Sequence, residues 1–152
     1  MKAITHLAAF AMAGTALVSS AFANTLEGWS TDLEKAFKDA KAQNKPVLVE
    51  FTGSDWCPPC IAMRKNVFSK KEFVKKASED FILVELDFPR GDKEVKKKNE
   101  PYAKKYDIEG FPTVILFDSN GKEFNRFFAS QYPKIDLFLD HLDKALERKD
   151  LD

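Results

Sequence analysis

Three short, mainly apolar runs and a fourth, more polar run that contains three phenylalanines predict the strands of a β-sheet. Each run is rich in β-branched or aromatic residues and is bounded by turn-forming residues, which is typical of buried strands. The runs cover residues 47–52, 81–87, 113–117 and 122–128. Between the last two, Ser119-Asn120-Gly121 predicts a hairpin turn, so these two strands are expected to pair antiparallel.

The segments between the strands predict helices. In residues 33–43, behind a cap at Thr31 or Asp32, apolar side chains recur at the spacing of one helix face. Cys57-Pro58-Pro59-Cys60 begins a second helix, since proline is tolerated in a first turn. Further helices are predicted over residues 70–79, over 94–106 with a kink or a division at Pro101, and over 133–148 with Ile135, Leu137, Phe138, Leu139, Leu142 and Leu146 facing the sheet.

This order of elements predicts one α/β domain over residues 24–152, with helices on both faces of the sheet. The 14 phenylalanines among 152 residues supply enough apolar area for a core without cross-links. In open α/β sheets, reactive groups collect at the carboxyl ends of strands. The pair Cys57 and Cys60 stands in such a place, directly after the 47–52 strand.

The first 23 residues differ from the rest of the chain. They carry one charge, at Lys2, then an Ala-rich apolar run over 3–18 and small residues at Ala21 and Ala23. The run is shorter than the roughly 20 residues of a spanning helix, so it predicts a secretory signal peptide over 1–23, cleaved before Asn24. An uncleaved anchor is the alternative. Cleavage would give a periplasmic protein without stable membrane insertion.

The charges of the chain are balanced, with 24 Lys and Arg against 24 Asp and Glu. Such a chain has no cationic field that would attract nucleic acid. The lysines over 93–105 alternate with acidic residues and are typical of a solvated helix face rather than an interaction patch. Partners are therefore expected to be recognised locally.

Three kinds of site are open to the two cysteines. As a structural disulfide they would close a loop too short to stabilise the fold by more than roughly 2 kcal/mol. A zinc site needs four ligands, and His141 is the only histidine after cleavage. As a redox pair, Cys57 would be a thiolate stabilised by the helix N-terminus, and Cys60 would resolve the mixed disulfide. The redox pair is favoured, without metal or organic cofactor.

Two motifs together resemble the thioredoxin superfamily. They are Trp56-Cys57-Pro58-Pro59-Cys60 after a buried strand and, later in the chain, Gly110-Phe111-Pro112-Thr113. The resemblance extends from about Leu33 to Leu146 and implies a thioredoxin-like three-layer sandwich with a central mixed sheet. The lead-in over 51–56 is longer than in ordinary thioredoxin. It is similar to exported thioredoxin-like proteins, including the carboxyl-terminal domain of DsbD-type electron carriers.

The resemblance implies roles for individual residues. Cys57 matches the attacking cysteine, Cys60 the resolving cysteine and Pro112 the cis-proline beside them; a trans turn proline is the alternative. Glu50 matches a buried carboxylate beneath Cys60 that takes its proton; a Glu turned to solvent is the alternative. The expected substrate-binding surface consists of Trp56, Pro58, Pro59, Phe111 and Phe128.

Two positions depart from the ordinary thioredoxin pattern. The lysine that often neighbours the buried carboxylate, on the next strand, is replaced by an apolar residue near Leu83. Phe128 or Ala129 stands where thioredoxins carry a small glycine, which argues against the ordinary thioredoxin partners.

The resemblance implies an exported thiol:disulfide oxidoreductase that exchanges dithiol for disulfide with protein partners. A reductase is expected, kept reduced by a membrane electron donor of the DsbD type. The alternatives are a disulfide isomerase or oxidase, and a non-catalytic binding module or chaperone that uses the groove around Trp56, Phe111 and Phe128.

Overall fold

The computed structural model describes residues 25–151. The predicted signal peptide and its cleavage point lie outside these residues. The helices and strands, in chain order, are α1 (Leu33–Gln43), β1 (Val47–Thr52), α2 (Pro58–Met63), a π-helical turn (Arg64–Phe68), α3 (Lys71–Asp80), β2 (Ile82–Asp87), α4 (Lys93–Lys105), β3 (Thr113–Phe117), β4 (Glu123–Phe128), a 3-10 turn (Ala129–Gln131) and α5 (Ile135–Leu151).

The four strands form one mixed sheet in the order β2-β1-β3-β4. β1 pairs parallel with β2 and antiparallel with β3, and β3 pairs antiparallel with β4 across the predicted hairpin. The predicted α/β architecture is confirmed. All six residues of β1 are buried, which follows from its place inside the sheet with a helix layer on each face.

Helices cover both faces of the sheet and enclose two cores. On one face α1 and α4 pack over the odd-numbered side chains of β1; on the other, α2, α3 and α5 pack over Leu48. Phe138 is fully buried in the second core, and its ring meets Phe68 and Phe73 edge-on at 5.2 and 5.3 Å. The phenylalanines therefore form much of the layer beneath the cysteine helix, as their number predicted.

Two details of the helices differ from the prediction. α4 is continuous through Pro101, so the predicted division is wrong. Asp92 caps its start by accepting from the N–H groups of Glu94 and Val95, and Tyr102 packs against the core, which supports the helix on both sides of the proline. Leu137 is 45% exposed rather than facing the sheet.

The segment before α1 was not predicted to have structure, yet it packs along the edge of β2. Ser30 forms a parallel bridge with Val84, and Trp29 is buried with its indole N–H donating to the carbonyl of Phe68 at 3.2 Å. Residues 25–31 thus protect the β2 edge of the sheet. Within residues 25–151, none of the helices combines the length and apolarity needed to cross a membrane.

Candidate active site

The two cysteines lie where β1 gives way to α2, and they form a disulfide. Cys57 is the N-cap of α2 and Cys60 lies in its first turn, with Cα atoms 5.2 Å apart. Cys57 is 4% exposed and Cys60 is fully buried. The backbone N–H of Gly53 donates to Cys60 Sγ at 3.5 Å. The structure therefore places Cys57 nearer the surface and Cys60 beneath it, in the order expected of an attacking and a resolving cysteine.

The loop that leads into the pair is held by the segment after β2. The backbone N–H of Ser54 donates to Asp87 Oδ1 at 2.9 Å. Asp55 accepts from the backbone N–H groups of Arg90 and Gly91, and these hydrogen bonds lower the pKa of its carboxyl. These hydrogen bonds hold the longer lead-in in one conformation.

Trp56 is fixed against this loop from three sides. Its indole N–H donates to the carbonyl of Phe88 at 2.8 Å, and the guanidinium of Arg90 lies 4.9 Å from its ring centroid. A Cβ atom on Gly53 would come within 2.6 Å of the indole, so residue 53 must be glycine for the ring to lie there. Trp56 therefore forms a rigid wall next to the cysteines.

The Phe111–Pro112 peptide bond is cis, as the resemblance implied. The Phe111 ring meets Trp56 edge-on at 5.8 Å and packs on Phe88 at 5.1 Å. The Pro112 carbonyl accepts from the N–H of Ala129 at 2.9 Å. Trp56 and Phe111 are thus brought together on one side of the cis-proline loop.

The other predicted surface residues lie around this pair. Pro58 and Pro59 are exposed at the start of α2. Phe128 is 47% exposed and lies against Gly110, where an added Cβ would be 3.2 Å from its ring. Ile61, next to Cys60, is 44% exposed and was not predicted as part of this surface. The apolar surface thus extends further along α2 than the sequence indicated.

Glu50 is 1% exposed, so the alternative of a Glu turned to solvent is wrong. It lies on β1 between Leu48 and Thr52, on the face covered by α2. Burial raises the pKa of its carboxyl well above the ordinary range, and the neighbouring charge of Glu85 raises the pKa further. A carboxyl of this kind suits proton exchange with a thiol.

The partner of Glu50 on the next strand is Glu85, which the sequence analysis missed. The expectation of an apolar neighbour near Leu83 was wrong, because the neighbour lies two residues further along the strand. Glu85 is 3% exposed, and burial raises its pKa to about 7 although Arg64, in the π-helical turn, pairs with it at 2.5 Å. A signal was present, because β1 and β2 run parallel and each carries Glu at its fourth position.

A family model described as a thioredoxin-like domain matches residues 33–146. The chain belongs to the thioredoxin-like family. The matched residues include the Cys-x-x-Cys pair, Cys57 and Cys60, which form a disulfide. The solved structure of a DsbH oxidoreductase superposes with a TM-score of 0.70 at 27% identity, over 92% of this chain and 95% of that one.

Curated relatives are similar over part of their length. Disulfide bond reductase DsbH of Chlamydia pneumoniae is 35% identical over 101 residues, 64% of this chain and 60% of the relative. Thiol:disulfide interchange protein DsbD of Yersinia pestis is 30% identical over 103 residues, 68% of this chain and 16% of the relative. The matched segment thus spans less than two thirds of either relative.

Proposed function

We propose that this protein is a thiol:disulfide reductase that reduces disulfides in other proteins through Cys57 and Cys60. The observation that carries the proposal is the Cys57–Cys60 disulfide at the start of α2, beside Trp56 and the cis-proline loop. The similarity to a protein named disulfide bond reductase supports the direction. Trp56, Pro58, Pro59, Phe111 and Phe128 form the surface on which a substrate protein would bind.

The reaction runs in two exchanges. In the reduced protein the Cys57 thiolate attacks one sulfur of a substrate disulfide; a bond forms between these sulfurs and the other substrate sulfur leaves as a thiolate. Cys60 then loses its proton and attacks Cys57 Sγ, and the second substrate sulfur leaves. The substrate gains two electrons, and the Cys57–Cys60 pair is oxidised to the disulfide. A dithiol donor, expected to be a membrane electron carrier of the DsbD type, restores the reduced pair.

Glu50 is the proposed proton acceptor for Cys60. It is buried on the face of β1 that α2 covers. Its raised pKa lets it take a proton from a thiol and return it in the reverse exchange. No metal or organic cofactor enters this scheme.

The two prolines between the cysteines favour a reductant over an oxidant. Strong oxidants owe their potential to a greatly stabilised thiolate. Here Pro58 and Pro59 occupy the first helical positions and offer Cys57 neither charge nor N–H. The reduced state is then stabilised less, and the disulfide is the favoured product.

This proposal predicts the reduction potential of the Cys57–Cys60 couple. Equilibration with glutathione is expected to give a potential nearer the about −270 mV of reductants than the about −120 mV of strong oxidants. The reduced protein should also reduce the disulfides of insulin. A potential at the oxidising end would make the protein an oxidase. The expected reducing potential without insulin reduction would favour the binding module or chaperone.

We further propose that the protein is exported to the periplasm. The proposal rests on the apolar run over 3–18 and the small residues Ala21 and Ala23 in the sequence. Intact-mass analysis of protein recovered from a periplasmic fraction is expected to show a chain that begins at Asn24. A chain in the membrane fraction that retains Lys2 would contradict both cleavage and location.

A further inference from the structure

Two buried carboxylates lie side by side across the β1–β2 pair. Glu50 and Glu85 are register partners. Adjacent strands are about 4.8 Å apart, and partners in register leave the sheet on the same face. They are 1% and 3% exposed. The exchange described above uses Glu50 and gives Glu85 no part.

The surroundings of the two carboxylates differ. Glu85 is paired with Arg64 and also accepts from the backbone N–H of Leu26. Glu50 Oε1 is buried and, among the residues described, has no hydrogen-bond partner, while the Thr52 hydroxyl is the group that favours its ionised form directly. Asp87 adds a negative charge near both. A proton shared by the pair therefore rests on Glu50, and Glu85 keeps the charge that Arg64 compensates.

Glu85, unlike Glu50, also lines a small polar cavity at the edge of the sheet. The cavity has a volume of about 90 Å³, and Thr31 and Lys98, both exposed, stand at its opening. Asn99 Oδ1 is buried on its wall and finds no partner within residues 25–151. One water molecule takes up roughly 30 Å³ in the liquid. The cavity thus has room and polar contacts for water that reaches from Glu85 to the surface.

We propose that Glu85 relays protons between Glu50 and the water of this cavity during disulfide exchange. The inference rests on the proposed function of the Cys57–Cys60 pair. Glu50 is closed off from solvent, whereas every exchange cycle requires a proton to enter and leave it. Glu85 lies next to Glu50 in the sheet and also lines the cavity. Because it acts through Glu50, it is a positioning residue.

The proton balance of the relay is complete in both directions. In the resolving step the proton held by Glu50 passes through the Glu85 carboxylate to the cavity water, and the Cys60 proton replaces it on Glu50 while Cys60 Sγ bonds to Cys57 Sγ. One proton has then reached water, and the pair is left as it began, with Glu50 protonated and Glu85 ionised. When a donor dithiol opens the Cys57–Cys60 bond, a proton travels from water through Glu85 and Glu50 to the Cys60 sulfur.

The test separates attack from resolution. Mixed with 5,5′-dithiobis(2-nitrobenzoate), the reduced protein releases one aromatic thiolate when Cys57 attacks and a second when Cys60 resolves. In Glu85→Gln we expect the first phase unchanged and the second slowed about tenfold near neutral pH, with a larger solvent deuterium isotope effect. Glu85→Asp is expected to restore most of the rate. The exposed Glu79→Gln is the control, with both phases as in the wild type.

A second variant provides the test if the Glu85→Gln protein fails to fold. Val95→Phe fills the cavity from α4 without replacing the Arg64–Glu85 pair and should also slow the second phase alone. If Glu85 acted only through its charge, Glu85→Gln would ease the ionisation of Glu50, and the second phase would be unchanged or faster. An unchanged second phase and a faster second phase in Glu85→Gln would each overturn the relay. Absence of the two phases in the wild type would instead overturn the proposed function.

Discussion

Cys57→Ser is expected to lose disulfide exchange altogether, with insulin reduction falling at least about a thousandfold. A serine hydroxyl in this place cannot form the mixed disulfide, because the reacting nucleophile is a thiolate. Cys57 is also the sulfur nearer the surface, at 4% exposure against 0% for Cys60. A stopped-time insulin precipitation assay on the reduced variant measures the loss.

Cys60→Ala is the matched variant because it removes the other sulfur of the same pair. It keeps the attacking thiolate but cannot complete the exchange, so it is expected to accumulate mixed disulfides through Cys57. Non-reducing electrophoresis and mass spectrometry would detect them, and would identify the protein partners. Labelling of reduced wild-type protein by iodoacetamide should favour Cys57. Equal labelling of both cysteines, or trapping by Cys57→Ser instead, would contradict the assigned roles.

The strands could be predicted closely because their hydrophobic signal is local. β1 has the predicted bounds, since Pro46 and Gly53 flank a short run rich in β-branched and aromatic residues. The helix faces are harder to predict. Leu137 precedes the buried Phe138 by one residue and is turned about 100° away from it, so only one of the two neighbours can face the sheet. Periodicity alone does not decide which.

The cysteine pair, Pro112 and Trp56 could be predicted because each belongs to a sequence motif. Arg64 and Glu85 could not be found in that way, since their contact joins a helical turn to a strand through the fold. Arg64 begins the π-helical turn that follows α2, and no sequence motif marks that turn. Glu85 would have required the parallel register of β1 and β2, which sets it opposite Glu50. Residues of this second kind control the charge around the motif.

Glu50→Gln is expected to slow the resolving step by about a hundredfold and to leave the attack by Cys57 nearly unchanged. The amide retains the shape of the side chain but cannot take a proton from Cys60. The two-phase release of aromatic thiolate described above measures both steps in one reaction. An unchanged second phase from about pH 6 to about pH 9 would remove Glu50 from the mechanism.

The same substitution should change how stability depends on pH. The pKa of Glu50 is raised in the folded protein above its ordinary value of 4.5, so the folded state binds a proton that the unfolded chain has released. The free energy of unfolding therefore falls as pH rises above this value and through the raised pKa, and the pKa of Glu85, about 7, adds to the fall. Each unit of difference between the folded and unfolded pKa corresponds to about 1.4 kcal/mol of unfolding free energy. In Glu50→Gln the decline should be shallower, so the variant should lose less of its unfolding free energy than the wild type as pH rises into the alkaline range. Denaturant unfolding of the oxidised protein at several pH values measures the slopes. Glu79→Gln, on an exposed side chain, is the control and should keep the wild-type slope. A Glu50→Gln slope as steep as that of the control would show that folding does not raise the pKa of Glu50.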